Sequence, residues 1–201
     1  DEFMKEIIFL RHGDTDATEN HYFAGWSDLP LTKKGEKRIK AAKEILKNYE
    51  YLEIWSSPLI RTRQTAQIVV NSNYSIQYTE DIKERSFGEW EGKNWELLEQ
   101  EFPNQIKKWK ESPLEFTPPL GESFADVLLR VKRFWQTLQD KNNGNYLVVT
   151  HAGVIRCLLV LLTGMTFENS FHLLLNPGVI IKVRDDSGFF QVTGIINHED
   201  L

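Results

Sequence analysis

EIIFLRHGDT, residues 6–15, decides the fold. An unbroken apolar run, Ile7 to Leu10, passes directly into Arg11, His12 and Gly13, so a buried strand delivers polar chemistry at its carboxyl end. YLVVT (146–150) repeats the arrangement and runs into His151, Ala152 and Gly153, while YLEIW (51–55) leads into Ser56-Ser57-Pro58-Leu59-Ile60-Arg61. Apolar strands followed by helical patterns predict parallel pairing. Such pairing brings Arg11, His12, Arg61 and His151 to the carboxyl edge of one sheet, where open α/β sheets bind ligands.

The intervening segments read as helices. Lys33 to Tyr49 places Ile39, Ala42, Ile45, Leu46 and Tyr49 on one face, with Thr32 as its cap. Thr62 to Val70 predicts a second helix. A third begins after Ser123, with Phe124, Val127, Leu128, Val131, Phe134, Trp135 and Leu138 at helical spacing. Val154 to Leu162 is apolar nearly all round and predicts a helix packed beneath the sheet. Val179 to Arg184 and Phe189 to Ile196 flank Asp185-Asp186-Ser187-Gly188, a hairpin signal that adds one antiparallel edge strand. Lys93 to Leu120, broken by Pro103, Pro113, Pro118 and Pro119, departs from this pattern and is expected to form a helical lid. The expected architecture is a three-layer α/β sandwich with a mostly parallel sheet and a lid insertion at 93–120, the chain 1–201 forming a single domain.

Composition narrows the function. A chain of 201 residues, 41% hydrophobic and 26% charged, can bury one sizeable core. Its formal net charge of -5 argues against a nucleic-acid partner, which demands a basic surplus. The longest apolar stretch, Cys157 to Thr163, is too short to span a bilayer, and no signal-peptide pattern is visible. A single cysteine, Cys157, offers neither a disulfide nor a zinc cluster, which suits a reducing cytoplasm and a core position for the thiol. Oligomeric state is not encoded in any pattern.

Two arginines and two histidines at one sheet edge form an anion site. The planar guanidinium fork binds phosphate oxygens two at a time. A histidine can attack phosphorus through one ring nitrogen while the other donates to a backbone carbonyl, which fixes the tautomer. His12, beside Arg11, suits that task. Phosphoryl transfer requires mainly positioning and charge neutralisation, so Arg11, Arg61 and His151 meet most of the requirement with no metal and no cofactor. A carboxylic acid is still needed to protonate the leaving oxygen.

The same residues resemble the histidine phosphatase superfamily, also called phosphoglycerate-mutase-like. The resemblance runs through RHGDT, then GWSDLPLTKKG (25–35), SSPLIRTRQTA (56–66), ERSFGEWEG (84–92), GES (121–123) and VTHAGVIR (149–156). It implies that His12 becomes phosphohistidine, that Arg11, Arg61 and His151 bind the transferred phosphate, and that Glu84 is the proton donor. Glu89 and Glu91, in the same motif, are then surface or loop-fixing residues. Thr18 stands where the family commonly has an asparagine near the phosphate, with Asn20 two residues on as the other candidate. Ala152 is the preferred backbone donor, ahead of Gly153. Arg85 either engages a second anionic group of the substrate or makes a structural or solvent-facing salt bridge. His21, His172 and His198 match no catalytic motif, although His21 and Tyr22 lie in a loop able to meet a leaving group; Trp26, Trp90 and Trp95 are expected to be packing residues.

The resemblance thus implies a metal-independent phosphomonoesterase acting on a small phosphorylated metabolite, in the manner of broad-specificity or α-ribazole phosphatases, whose substrate is α-ribazole 5′-phosphate. A phosphoglycerate mutase is the alternative, although the mutases carry a longer insertion before GES. A non-catalytic phosphate-binding module is the third reading, weakened by the presence of His12, Glu84 and both arginines.

Overall fold

A computed structural model describes residues 4–70 and 72–198. Six strands, β1 (Lys5–Arg11), β2 (Glu53–Ser56), β3 (Ile76–Tyr78), β4 (Asn145–Thr150), β5 (Ile180–Asp186) and β6 (Phe189–Ile196), form one sheet in the order β3-β2-β4-β1-β5-β6. The first four are mutually parallel, so β2, β4 and β1 end side by side at one edge, as the apolar runs require. The expected antiparallel edge is present as a pair. β5 runs against β1, and the hairpin returns β6 to the outside through Ser187 and Gly188, both at positive φ. β3 was not anticipated: its IQY sequence is short and mostly exposed, as an edge strand tolerates.

Helices cover both faces. Ile8 and Leu10 of β1 and Leu147 and Val149 of β4 pack on α2 (Lys33–Leu46) and α3 (Ile60–Val69), which follow the five-residue α1 (Asp16–Asn20). Their alternates Ile7, Phe9, Tyr146 and Val148 pack on α6 (Phe124–Gln139) and α7 (Ala152–Thr163), and Cys157 is buried there. Alternation along a strand produces this two-faced burial. Thr32 caps α2 through Gly35, and Ser123 and Asp126 form a reciprocal capping box on α6. α2 stops at Leu46 instead of Tyr49, which leaves the helix and stacks on Tyr51 with ring centroids 6.1 Å apart.

Residues 93–120 contain α4 (Trp95–Glu101) and α5 (Pro103–Glu111), which build a separate small core from Trp90, Leu98 and Ile106 above the carboxyl edge of the sheet. Among the described residues no helix is long and apolar enough to cross a membrane.

Candidate active site

The sheet edge opens into a cavity of about 240 Å³ lined by Arg11, His12, Arg61, Glu84, Arg85, Ala152 and Arg156 below, and by Phe23, Phe87, Trp95, Trp109 and Phe171 around it.

His12 is held at both ends. Its N–H donates to Thr150 O at 3.1 Å and its carbonyl accepts from Gly178 N at 3.0 Å. Its Nδ1 lies 2.7 Å from Gly13 O, and because a carbonyl only accepts, Nδ1 carries the proton and Nε2 keeps its lone pair. Burial, then Arg61 and Arg11, push the His12 pKa well below its ordinary value. The ring is therefore neutral at pH 7.

The two arginines are fixed differently. Arg11 donates through Nη1 to Leu175 O, while its buried Nε has no partner; burial, opposed by Glu84, lowers its pKa to about 10. Arg61, in the first turn of α3, donates to Ser27 O at 2.9 Å, Gly25 O at 2.7 Å and Ala24 O at 3.2 Å. Glu91 holds that loop in turn, accepting from the N–H groups of Gly25 (3.0 Å) and Ser27 (2.9 Å) and from the Ser27 hydroxyl. The loop-fixing expectation for Glu91 is met, and Glu89 is exposed. Gly25 is required here, because a Cβ would stand 1.9 Å from Arg85 O.

Glu84 is buried, with one oxygen 2.9 Å from Arg85 N and the other 3.2 Å from Gly153 N in the first turn of α7. Only glycine permits the approach at 153, since a Cβ would lie 2.3 Å from Glu84 Oε1. Trp26 Nε1 donates to Glu84 O at 2.8 Å, fixing the backbone behind the carboxyl. Gly153 N–H is thus engaged by Glu84, and Ala152 lines the cavity in the same turn.

His151, fully buried, stands edge-on to His12 with ring centroids 5.2 Å apart. Its Nε2 is 2.7 Å from Ser57 Oγ and its Nδ1 has no partner. Burial, Arg61, His12 and Arg11 push its pKa well below the ordinary value.

Other expected residues divide. Thr18 lines the cavity, but its hydroxyl donates to Thr15 O (3.0 Å) and accepts from Thr15 N (2.9 Å). Asn20 turns outward onto Asp16, 2.8 Å from Oδ1, and is no substitute. Arg85 is fully buried and makes no ion pair among the described residues; it donates to Glu122 O (2.7 Å) and Phe116 O (2.9 Å), tying down the chain that returns from α5. Tyr22 lines the cavity, whereas His21, His172 and His198 do not. Trp90 and Trp95 are packing residues that also line the cavity; Trp26 is outside it. Sequence reading missed Ser57, Arg156, Trp109 and Phe171. Arg156 was findable, since it lies four residues after Ala152 on the same face of α7.

The family model for the histidine phosphatase superfamily (branch 1) matches residues 7–198. The chain is 29% identical over 174 residues to the adenosylcobalamin/alpha-ribazole phosphatase of Escherichia coli K12, covering 86% of each. It is 30% identical over 182 residues to a 2,3-bisphosphoglycerate-dependent phosphoglycerate mutase of Cytophaga hutchinsonii, covering 87% of this chain and 85% of the mutase. The crystal structure of the alpha-ribazole phosphatase from Shigella flexneri superposes with a TM-score of 0.87 at 26% identity, over 94% of this chain and 95% of that one. With Arg11, His12 and Arg61 gathered at one cavity, His151 edge-on behind His12, and this match along nearly its whole length, the chain is an enzyme that belongs to the histidine phosphatase superfamily (branch 1).

Proposed function

We propose that this chain hydrolyses phosphomonoesters without a metal, through a phosphohistidine at His12. One observation carries the reading. Of the four buried side-chain polar atoms without a partner among the described residues, two, Arg11 Nε and His151 Nδ1, belong to groups flanking His12. Buried polar groups are ordinarily satisfied, and a phosphoryl group supplies the acceptors that these need.

In the first step the Nε2 lone pair of His12 bonds to phosphorus, the ester P–O bond breaks, and the departing oxygen takes the proton of the Glu84 carboxyl. In the second, water gives a proton to the Glu84 carboxylate, its oxygen bonds to phosphorus, and the P–N bond returns its pair to His12. Arg11, Arg61, His151 and the Ala152 N–H neutralise the equatorial oxygens throughout. Thr18 contributes cavity wall, and Arg85 shapes the site by holding residues 116–122.

The substrate is a small phosphorylated metabolite whose leaving group bears a ring, and α-ribazole 5′-phosphate is our leading candidate. The aromatic wall of Phe23, Trp95, Trp109 and Phe171 and the likeness to proteins named alpha-ribazole phosphatases support this. A lone buried Cys157 and the acidic charge favour a cytoplasmic setting without nucleic acid.

The test traps acid-labile, base-stable phosphate on the protein. His12→Ala should lose this phosphoenzyme and turnover together, and turnover of the native chain should survive exhaustive chelation. Given 3-phosphoglycerate with a trace of 2,3-bisphosphoglycerate, the protein should release inorganic phosphate or leave the compound untouched; efficient formation of 2-phosphoglycerate would select the mutase reading.

A further inference from the structure

We infer that Ser57 is a positioning residue that sets the tautomer of His151, placing its single proton on Nδ1 so that this nitrogen is the phosphate donor. The role of that donor rests on the phosphatase reading; the tautomer does not.

Adjacent strand ends create the contact. β2 pairs with β4, and Ser57 N donates to Val149 O at 3.0 Å, seating Ser57 beside the end of β4 two residues before His151. Both residues are fully buried, and Ser57 Oγ lies 2.7 Å from His151 Nε2. Leu59 N–H donates to the same Oγ at 3.4 Å. The Ser57 carbonyl already accepts from the hydroxyls of Ser56 (2.9 Å) and Thr62 (3.0 Å).

Proton counting separates the two tautomers. With the proton on Nε2, that nitrogen would donate to Ser57, and the serine hydrogen would face no acceptor among the described residues. His151 Nδ1 would be a buried bare lone pair with no donor among the described residues, unable to bind an anion. With the proton on Nδ1, Ser57 donates to Nε2 and accepts from Leu59, and every group but one is satisfied. The exception is Nδ1–H, a buried donor without a partner on the ring that stands edge-on to His12. A doubly protonated ring is disfavoured by burial and by Arg61 and Arg11. The serine therefore decides which nitrogen donates.

The experiment uses the full chain with 15N-labelled histidine and vanadate as the bound probe. Long-range proton–nitrogen correlations distinguish Nδ1–H from Nε2–H, and loss of one ring's signals in His151→Ala assigns them. The native protein should show Nδ1–H at His151, and Ser57→Ala should shift the ring to a mixture. Phosphoenzyme formation should slow about 10-fold in Ser57→Ala, short of the roughly 10²- to 10³-fold that loss of an entire donor costs. In a His151→Ala background the same substitution should change the rate less than about 2-fold, because an indirect effect has nothing left to act through. Three results would overturn the inference: Nε2–H in the native protein, an unchanged tautomer in Ser57→Ala, or an equal slowing without His151. Absence of any phosphohistidine on the native chain would defeat the phosphatase reading, while the native spectrum would still decide the tautomer.

Discussion

The floor and the roof of the cavity are built by different physics. Below, Arg61, His12, Glu84 and His151 are buried, and each is tied by directional bonds to backbone or to a neighbouring hydroxyl. Above, Trp95 and Trp109 meet edge to face at 5.2 Å and Trp109 meets Phe171 at 6.3 Å, contacts that fix distance but not register. The roof's ion pairs, Lys110 with Glu99 and Lys93 with Glu101, are exposed and contribute little. Directional bonds suit a site where reacting atoms must align to fractions of an ångström. Apolar contacts suit a wall that accepts one leaving group or another. Under the proposed function, this contrast assigns reaction and substrate choice to separable parts of the molecule.

Glu84 tests the floor most severely. A general acid contributes roughly 10²- to 10⁴-fold, but only where the leaving oxygen needs its proton. Glu84→Gln should slow phosphorylation by alkyl phosphates to that extent, and by p-nitrophenyl phosphate far less, since nitrophenolate departs unaided. Burst kinetics must isolate this step, because the same carboxylate serves as base in dephosphorylation. Exposed Glu89, changed to Gln, should leave both esters unaffected. Equal losses on both esters in Glu84→Gln, with leaving-group dependence appearing in Glu89→Gln, would move the acid to the other carboxylate.

Most of the floor was legible in the sequence because its chemistry is local to strand ends, whereas Glu84 was reached only through the family resemblance of ERSFGEWEG. RHG, SSPLIR and THAG each place a functional side chain within a few residues of an apolar run, and parallel pairing does the rest. Ser57 escaped notice because its partner, His151, lies 94 positions away and is reached only through the β2–β4 register. The roof was legible as helix and proline but not as wall. Nothing in WELLEQE or PNQIKKWKE says that Trp95 and Trp109 turn toward an anion site, since that depends on how α4 and α5 settle above the sheet. Arg85 was legible only as a choice between a second anionic group and a structural or solvent-facing salt bridge; its guanidinium is bonded to the carbonyls of Phe116 and Glu122 while the residue lines the cavity.

Trp109→Ala should separate roof from floor. Losing an aromatic contact costs about 0.5 to 1.5 kcal/mol beyond area burial, which is up to roughly 10-fold in affinity. KM for a ring-bearing phosphomonoester should rise by about that factor, whereas kcat and KM for glycerol phosphate should stay within about 2-fold. A matching loss on both substrates would mean that α5 positions the reacting groups as well, and the division between the two regions would fail.

The smallest expected effect is on stability in mild acid, and it belongs to the floor alone. His12 and His151 have folded-state pKa values well below the ordinary 6.5, in both cases chiefly through burial, with Arg61 and Arg11 adding to it. Above pH 6.5 both rings are neutral in folded and unfolded chains, and neither affects the balance. As pH falls through 6.5 the unfolded chain binds protons at these rings while the folded chain does not, so unfolding gains and stability declines. Thermal melting between pH 7.5 and 5.5 should show this decline, measured above the range where carboxylates titrate. His12→Asn should flatten part of the slope, because the unfolded chain then has one fewer ring to protonate, and Trp109→Ala should shift the curve without changing its slope. An unchanged slope in His12→Asn would show that the ring takes up its proton within the folded site, which would also remove the neutral nucleophile on which the reaction depends.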